Sequence, residues 1–274
     1  MKIKSFAKIN LTLDSLYKRN DGYHEIDSIM TKIDLFDTIT LEKNSTNTLN
    51  LSTNYDDLPT DKSNLVYKTY NILKEYSNGD FGVDIYLDKK IPMAAGLAGG
   101  SSNAAYTMIG LNKLYNLGLS KEKLMELAIS IGADVPFFFC EKSARARGIG
   151  EKLEEFDNNL NMHILLLNDG SKVSSKFVYD RLKDYGHIDN AKIIEYLENG
   201  DKKAIHHFEN VMENVVYENF KNLKDLRDSL LENGATKALL SGSGASIFAI
   251  FDSKDKLDNA KKLYDLPLVC EVSI

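Results

Sequence analysis

Along residues 2–17, Ile9, Leu11 and Leu13 alternate with Lys8, Asn10 and Thr12. Alternation with period two predicts a half-buried strand, with Lys8, Asn10 and Thr12 on the polar face. A second run extends from Tyr23 to Ile33, and short strands are predicted at 38–41, 48–51 and 82–87. The period then changes. Leu65, Thr69, Ile72, Leu73 and Tyr76 recur at helical spacing behind Ser63, a candidate N-cap. Residues 103–117 carry Ala104, Ala105, Met108, Leu111, Leu114 and Tyr115 as one helical stripe. Another helix follows Ser120, with Leu124, Leu127, Ala128 and Ile131 facing one way and Gly132 as its stop.

The pattern resets over the polar residues 154–161, and a boundary is placed there, giving domains 1–155 and 156–274. Residues 163–167 read as a buried strand. Helices are expected behind Ser174 or Ser175, over 188–197, around Phe208, Val211, Met212 and Val215, and around Leu223, Leu226, Leu230 and Leu231. Two apolar runs, 238–240 and 247–251, flank a tight turn of small residues. A helix near 254–265 and a strand over 268–274 close the chain. Strands and helices mixed in this way indicate an α+β protein.

Composition narrows the function. The 274 residues are 43% hydrophobic and 27% charged, with a net charge of −6, which argues against general nucleic-acid binding. Cys140 and Cys270 are the only cysteines and suggest free thiols in a reducing compartment. No apolar run approaches a membrane span and the first residues lack a signal-peptide core, so a soluble cytoplasmic protein is expected. Adjacent His206 and His207 read as surface residues, not metal ligands.

Three stretches carry candidate chemistry. In Ile91-Pro-Met-Ala-Ala-Gly-Leu-Ala-Gly-Gly-Ser-Ser102, small residues connect a strand to a helix. Ser101 and Ser102 stand where an N-cap belongs. The unpaired N–H groups of such a helix start favour an anion, phosphate above all. The loop lacks the lysine of a Walker A motif, and a tight turn without a ligand is the plainer alternative. In Gly132-Ala-Asp-Val-Pro136, Asp134 is either an N-cap or a partly desolvated carboxylate with a chemical role. Ser241-Gly-Ser-Gly-Ala245 is either a hairpin turn or a close backbone approach to phosphate. Lys8, taken alone, reads as a solvated strand lysine rather than a group pointing into a cleft.

In order and spacing, Ala7-Lys-Ile-Asn-Leu11, Pro92 to Ser102 and Leu240 to Ala245 resemble the GHMP kinases over nearly the whole chain. Asp21-Gly-Tyr-His24, Gly132-Ala-Asp-Val-Pro136, Ser63-Asn-Leu-Val66 and Gly148-Ile-Gly-Glu-Lys-Leu153 resemble the branch acting on a cytidyl-diphosphate-linked methylerythritol in non-mevalonate isoprenoid synthesis.

The resemblance implies a two-domain GHMP kinase fold with the active cleft between the domains. It implies ATP and Mg²⁺ as cofactors, with no clear carboxylate ligand for the metal. Asp134 would be the general base and Lys8 its partner. Pro92, Met93, Ala94, Ala95, Gly96, Leu97, Ala98, Gly99, Gly100, Ser101 and Ser102 would wrap the ATP phosphates, with Asn64 near the adenosine. Tyr23 and His24 would recognise cytosine, with Tyr179 as a second aromatic face. Asn10, Gly242 and Gly244 would line the substrate and phosphate region. Ala94, Ala95 and Ala98 stand where many relatives have glycine, which requires negative φ there if the methyl groups are to be tolerated. A monomer or weak homodimer acting on a small molecule is expected. The competing readings are a mevalonate- or homoserine-type kinase and a non-catalytic nucleotide sensor.

Overall fold

The computed structural model describes all residues except 78, 80 and 184. The strands are β1 (Lys2–Lys18), β2 (His24–Asn44), β3 (Leu49–Thr53), β4 (Gly82–Asp88), β5 (Ser143–Gly148), β6 (Lys152–Phe156), β7 (His163–Asn168), β8 (Lys237–Leu240), β9 (Ile247–Phe251) and β10 (Leu268–Val272). The helices are α1 (Leu65–Ser77), α2 (Gly99–Leu114), α3 (Lys121–Ile129), α4 (Ser175–Tyr179), α5 (Asn190–Glu198), α6 (Lys203–His206), α7 (Glu213–Asn219), α8 (Lys221–Glu232) and α9 (Lys254–Lys261). A 3-10 turn spans Pro136–Phe139.

Two compact units form, and neither is one stretch of chain. The first comprises Met1–Ala7, Leu35–Ile91 and Ala98–Glu141. The second comprises Lys8–Asp34, Pro92–Leu97 and Lys142–Ile274. The boundary expected after residue 155 thus falls inside the second unit, because β1 and β2 are long enough to contribute to both.

In the first unit, the C-terminal half of β2 pairs antiparallel with β4, and β4 pairs parallel with β3. A parallel pair needs a crossover, and α1 lies between β3 and β4 in sequence. α2 approaches this sheet closely at Gly110, where a Cβ would lie 2.8 Å from Ile3 and 3.1 Å from Leu41. Val66, Leu73, Ile39, Leu41, Val83, Ile85, Met108 and Leu111 are buried here. α3 and the 3-10 turn add Leu124, Phe137 and Phe138 to the buried set.

In the second unit, β5 pairs antiparallel with β2 and with β6. A separate antiparallel sheet has the order β10-β7-β9-β8. Leu165, Leu167, Ile247 and Ala249 from that sheet pack with Val216, Leu223, Leu230 and Leu257 from the helices.

Several local expectations need correction. The runs at 23–33 and 38–41 are one strand, β2. β1 is buried on both faces from Ala7 to Ser15, so its period-two pattern marks sides of the strand, not core and solvent. α1 is capped by Asn64, whose Oδ1 accepts from the Val66 N–H, while Ser63 turns to Asp61. α2 starts at Gly99, with Ala98 before it, so Ser101 and Ser102 lie inside the helix. The helix read around Phe208 to Val215 does not form as one piece. Residues 203–206 and 213–219 are helical, and Asn210 between them bridges to Leu13. Ser120 caps α3 and Ser174 caps α4 as expected.

Candidate active site

Lys8 leaves β1 with its side chain enclosed, and the residue is only 4% exposed. A buried ammonium is costly unless it is hydrogen-bonded or paired. Nζ donates to Asn10 Oδ1 and to Gly96 O, both neutral oxygens. Asn10 is fixed in turn, because its Nδ2 donates to Ser28 Oγ at 2.8 Å. The solvated-lysine alternative is therefore excluded.

Residues 92–97 come to the same place within the second unit. Lys8 N–H donates to Leu97 O, Ser241 Oγ donates to Gly96 O at 2.9 Å, and Ser246 N–H donates to Ala95 O at 3.1 Å. Gly96 has φ of 74°, and a Cβ there would sit 1.9 Å from Ser241 O. No other residue fits without moving a backbone. Gly242 has φ of 57° and a Cβ there would lie 3.3 Å from both Gly96 O and Lys8 Nζ. Gly242 thus leaves open the space beside the ammonium. Gly244 follows with φ of 86°. The turn at 241–245 is accordingly more than a hairpin connection.

Loop residues Pro92 and Met93 are half-buried, and Ala95 and Leu97 are buried. Ala94 and Ala98 adopt φ of 51° and 53°, contrary to the negative φ expected of them. Left-handed alanine costs roughly 1–2 kcal/mol, so these two positions hold a glycine-like backbone at some expense. No side chain caps α2. The first-turn N–H groups of Gly99, Gly100 and Ser101 are left without intrahelical partners at the positive end of a 16-residue helix. Ser102 Oγ is occupied elsewhere, with Phe6 O and Ser5 Oγ. This helix start fits the phosphate groups of a nucleotide.

Asp134, in the first unit, is half-buried ahead of Phe137, Phe138 and Phe139. The residue preceding the 3-10 turn is Val135, and no side chain caps that turn. Among the described residues no hydrogen bond or ion pair holds the Asp134 carboxylate. The capping explanation therefore fails. Asn64 is 9% exposed, and both ends of its amide are engaged locally, with Val66 N–H and with Pro59 O. Its side chain shapes the start of α1.

The aromatic residues group around His24 in the second unit. Its ring is near-parallel to Tyr179 at 5.0 Å between centroids and to Tyr185 at 6.1 Å. Sequence reasoning missed Tyr185; a lone aromatic before the turn residue Gly186 gave no periodic signal. His24 is 5% exposed, and its Nε2 is buried without a partner among the described residues. Burial, with the charge of Lys18 nearby, lowers the imidazole pKa and keeps it neutral. A neutral imidazole with one unused ring nitrogen is suited to hydrogen-bond a neutral base. Tyr23 stands 60% exposed at the tip of the β1–β2 turn. Its N–H donates to Asp21, which is also held by Arg19. Among the described residues no cluster of three His, Cys, Asp or Glu side chains is placed to hold a metal. Among the described residues no helix is long and apolar enough to cross a membrane.

The buried lysine of the second unit, and in the first unit the uncapped helix start and a carboxylate with no partner among the described residues, are groups of the kinds that phosphoryl transfer uses. The model of the GHMP kinases N terminal domain matches residues 64–142. That of the GHMP kinases C terminal matches residues 193–262. The chain belongs to the GHMP kinases and is a small-molecule kinase. Its relatives resolve the branch further. The 4-diphosphocytidyl-2-C-methyl-D-erythritol kinase of Finegoldia magna is 41% identical over 270 residues, covering 97% of this chain and 96% of the relative. The enzyme of that name from Alkaliphilus metalliredigens is 39% identical over 96% of this chain and 94% of its own. A crystal structure of 4-(cytidine 5'-diphospho)-2C-methyl-D-erythritol kinase superposes with a TM-score of 0.83 at 29% identity, covering all of both chains. Homoserine kinase from Cytophaga hutchinsonii shares the fold, with a TM-score of 0.76 at 19% identity over all of this chain and 94% of its own.

Proposed function

We propose that this protein transfers the γ-phosphoryl group of ATP to the 2-hydroxyl of 4-diphosphocytidyl-2-C-methyl-D-erythritol. The reaction belongs to non-mevalonate isoprenoid precursor synthesis, and a cytoplasmic location suits it. The observation that carries the substrate is His24: a neutral imidazole beside two tyrosine rings, with a buried Nε2 that has no partner among the described residues. Nothing in phosphoryl transfer itself asks for such a group. A cytosine edge does, and Tyr23 and Tyr179 offer faces on which the ring stacks. The relatives at about 40% identity carry the same name over almost their full length.

Asp134 accepts the hydroxyl proton as the oxygen attacks phosphorus, and a carboxylate with no partner among the described residues has the capacity to do so. The bond from the γ-phosphorus to its bridging oxygen breaks and ADP leaves. Lys8 supplies positive charge to the transferring group. The N–H groups at the start of α2 and the backbone of residues 92–98 hold the phosphates. Mg²⁺ would come bound to the nucleotide and would offset phosphate charge, since it retains phosphate and water ligands readily and no carboxylate cage is found among the described residues. Asn10, held by Ser28 and Lys8, orients the alcohol together with Gly242 and Gly244. Asn64 supports the adenosine side through the start of α1. A monomer or weak homodimer suffices for this chemistry.

The test is ADP release with Mg-ATP, offering diphosphocytidyl-methylerythritol, mevalonate, homoserine and galactose in parallel. Turnover with the cytidyl compound alone is expected. Turnover with another alcohol would remove the role given to His24. No turnover, with ATP still bound, would favour a nucleotide sensor.

A further inference from the structure

The Ser241–Ala245 turn is held from behind by two side chains outside the residues assigned above. Asn210 is 6% exposed. Its Nδ2 donates to Leu240 O at 2.9 Å and to Gly242 O at 2.7 Å. Its Oδ1 accepts from Met212 N–H at 3.0 Å, so the amide is fully engaged. Three residues on, Glu213 Oε1 accepts the Leu240 N–H at 2.8 Å and the Tyr217 hydroxyl at 3.1 Å. Between them the two residues take both backbone polar groups of Leu240 and the carbonyl of Gly242. The position of Asn210 is itself fixed, because Leu13 N–H donates to Glu209 O and Val211 N–H donates to Leu13 O. Leu13 belongs to β1, the strand that carries Lys8 and Asn10.

This arrangement connects two things that must agree. β1 sets the place of Lys8. The turn sets the place of Gly242, whose Cα faces Lys8 Nζ and Gly96 O with no room for a methyl group at ordinary contact distance. We propose that Asn210 and Glu213 form a clamp that fixes the 240–242 backbone relative to Lys8, and that they are positioning residues for phosphoryl transfer. The inference rests on the kinase reading above for its catalytic consequence. Engagement of two polar side chains, one buried and one half-buried, on three backbone groups is more than a turn between two strands requires, since a hairpin of this length closes with its own backbone bonds. The turn already has such bonds, from Ser241 N–H to Ser246 O and from Gly244 N–H to Ser241 O. The clamp therefore adds placement, not closure. A displacement of about 1 Å at a transfer site costs up to a hundredfold in rate without a new contact to substrate.

Asn210→Ala, Glu213→Ala and Glu213→Gln in the full chain test this. For Asn210→Ala and Glu213→Ala, kcat is expected to fall about tenfold or more while KM for ATP stays within about threefold, the pattern of lost transition-state placement. Glu213→Gln keeps an acceptor for Leu240 and Tyr217 and should recover most of the loss seen in Glu213→Ala. Unchanged kcat in both alanine variants, or a glutamine variant no better than alanine, would overturn the proposal. Amide exchange over residues 240–244 gives a readout that needs no substrate. It should quicken about tenfold in Asn210→Ala, and in Glu213→Ala should Asn210→Ala not fold. Unaltered exchange would refute the clamp even if the wild-type protein turned out to phosphorylate nothing. Faster exchange with an inactive wild type would refute only the assigned reaction.

Discussion

Asp37 and Asp134 belong to the same unit, and their carboxylates are in opposite situations. Asp37 is wholly buried and saturated. One oxygen accepts the N–H groups of Lys90 and Ile91, and the other accepts Lys89 Nζ and Asn103 Nδ2. It joins the end of β4 to α2 and leaves nothing over for a ligand. Asp134 is half-buried beside phenylalanines, with no partner among the described residues. An acid whose bonds are all made contributes to stability. An acid whose bonds are unmade keeps its acceptor capacity for a ligand.

Three substitutions sharpen this contrast, taken in falling order of expected effect. Asp37→Asn strands the Lys89 ammonium in the interior and should cost about 3–5 kcal/mol of stability, measured by urea unfolding. A loss under about 1 kcal/mol would break the contrast from the Asp37 side.

Glu213 is an intermediate case. Burial pushes its carboxyl up to about 7, outweighing its bonds from Leu240 and Tyr217. A raised carboxyl pKa means that the folded state favours the proton. The associated stability is present in full below the ordinary glutamate range and is lost as pH rises through about 7. Glu213→Gln should therefore be about 2–3 kcal/mol more stable than wild type at pH 8, with the gap closing towards pH 5. A gap that does not change with pH would show that Glu213 is not the titrating group.

The smallest effect belongs to Ala98→Gly. Relief of the left-handed φ at the start of α2 should add about 1 kcal/mol, read as a rise in Tm, and leave ATP binding intact. A fall in Tm would mean that the methyl group packs usefully there.

How far the chain could be read beforehand differs by type of signal. Local chemistry was legible where a residue acts on its neighbours: Ser120 and Ser174 cap the helices expected of them. It misled where a distant partner claims the side chain. Ser102 has the composition of a cap, yet its hydroxyl is taken by Phe6 and Ser5, about a hundred residues away in sequence. Alternation along β1 correctly gave a strand and its two sides. It could not show that Lys8, Asn10 and Thr12 are enclosed, because burial of the polar side depends on Ser28, Gly96 and Asn190, contributed by remote segments. Phe208, Val211, Met212 and Val215 kept a helical period across a break, since burial alone produces it; the bridge from Asn210 to Leu13 decides otherwise. The candidate site was visible as a family resemblance in motifs. Tyr185, Asn210 and Glu213 act through tertiary placement and left no motif of their own in one sequence.

The most direct measurement on the contrast between the two carboxylates is made on Asp134→Asn, with kcat, ATP affinity and unfolding free energy determined on the same preparation. The expected result is that kcat falls by about 10²–10⁴ while ATP affinity and stability stay at wild-type values, because no fold contact among the described residues is lost. An Asp134→Asn protein that turns over normally, or one that loses activity only by unfolding, would contradict it.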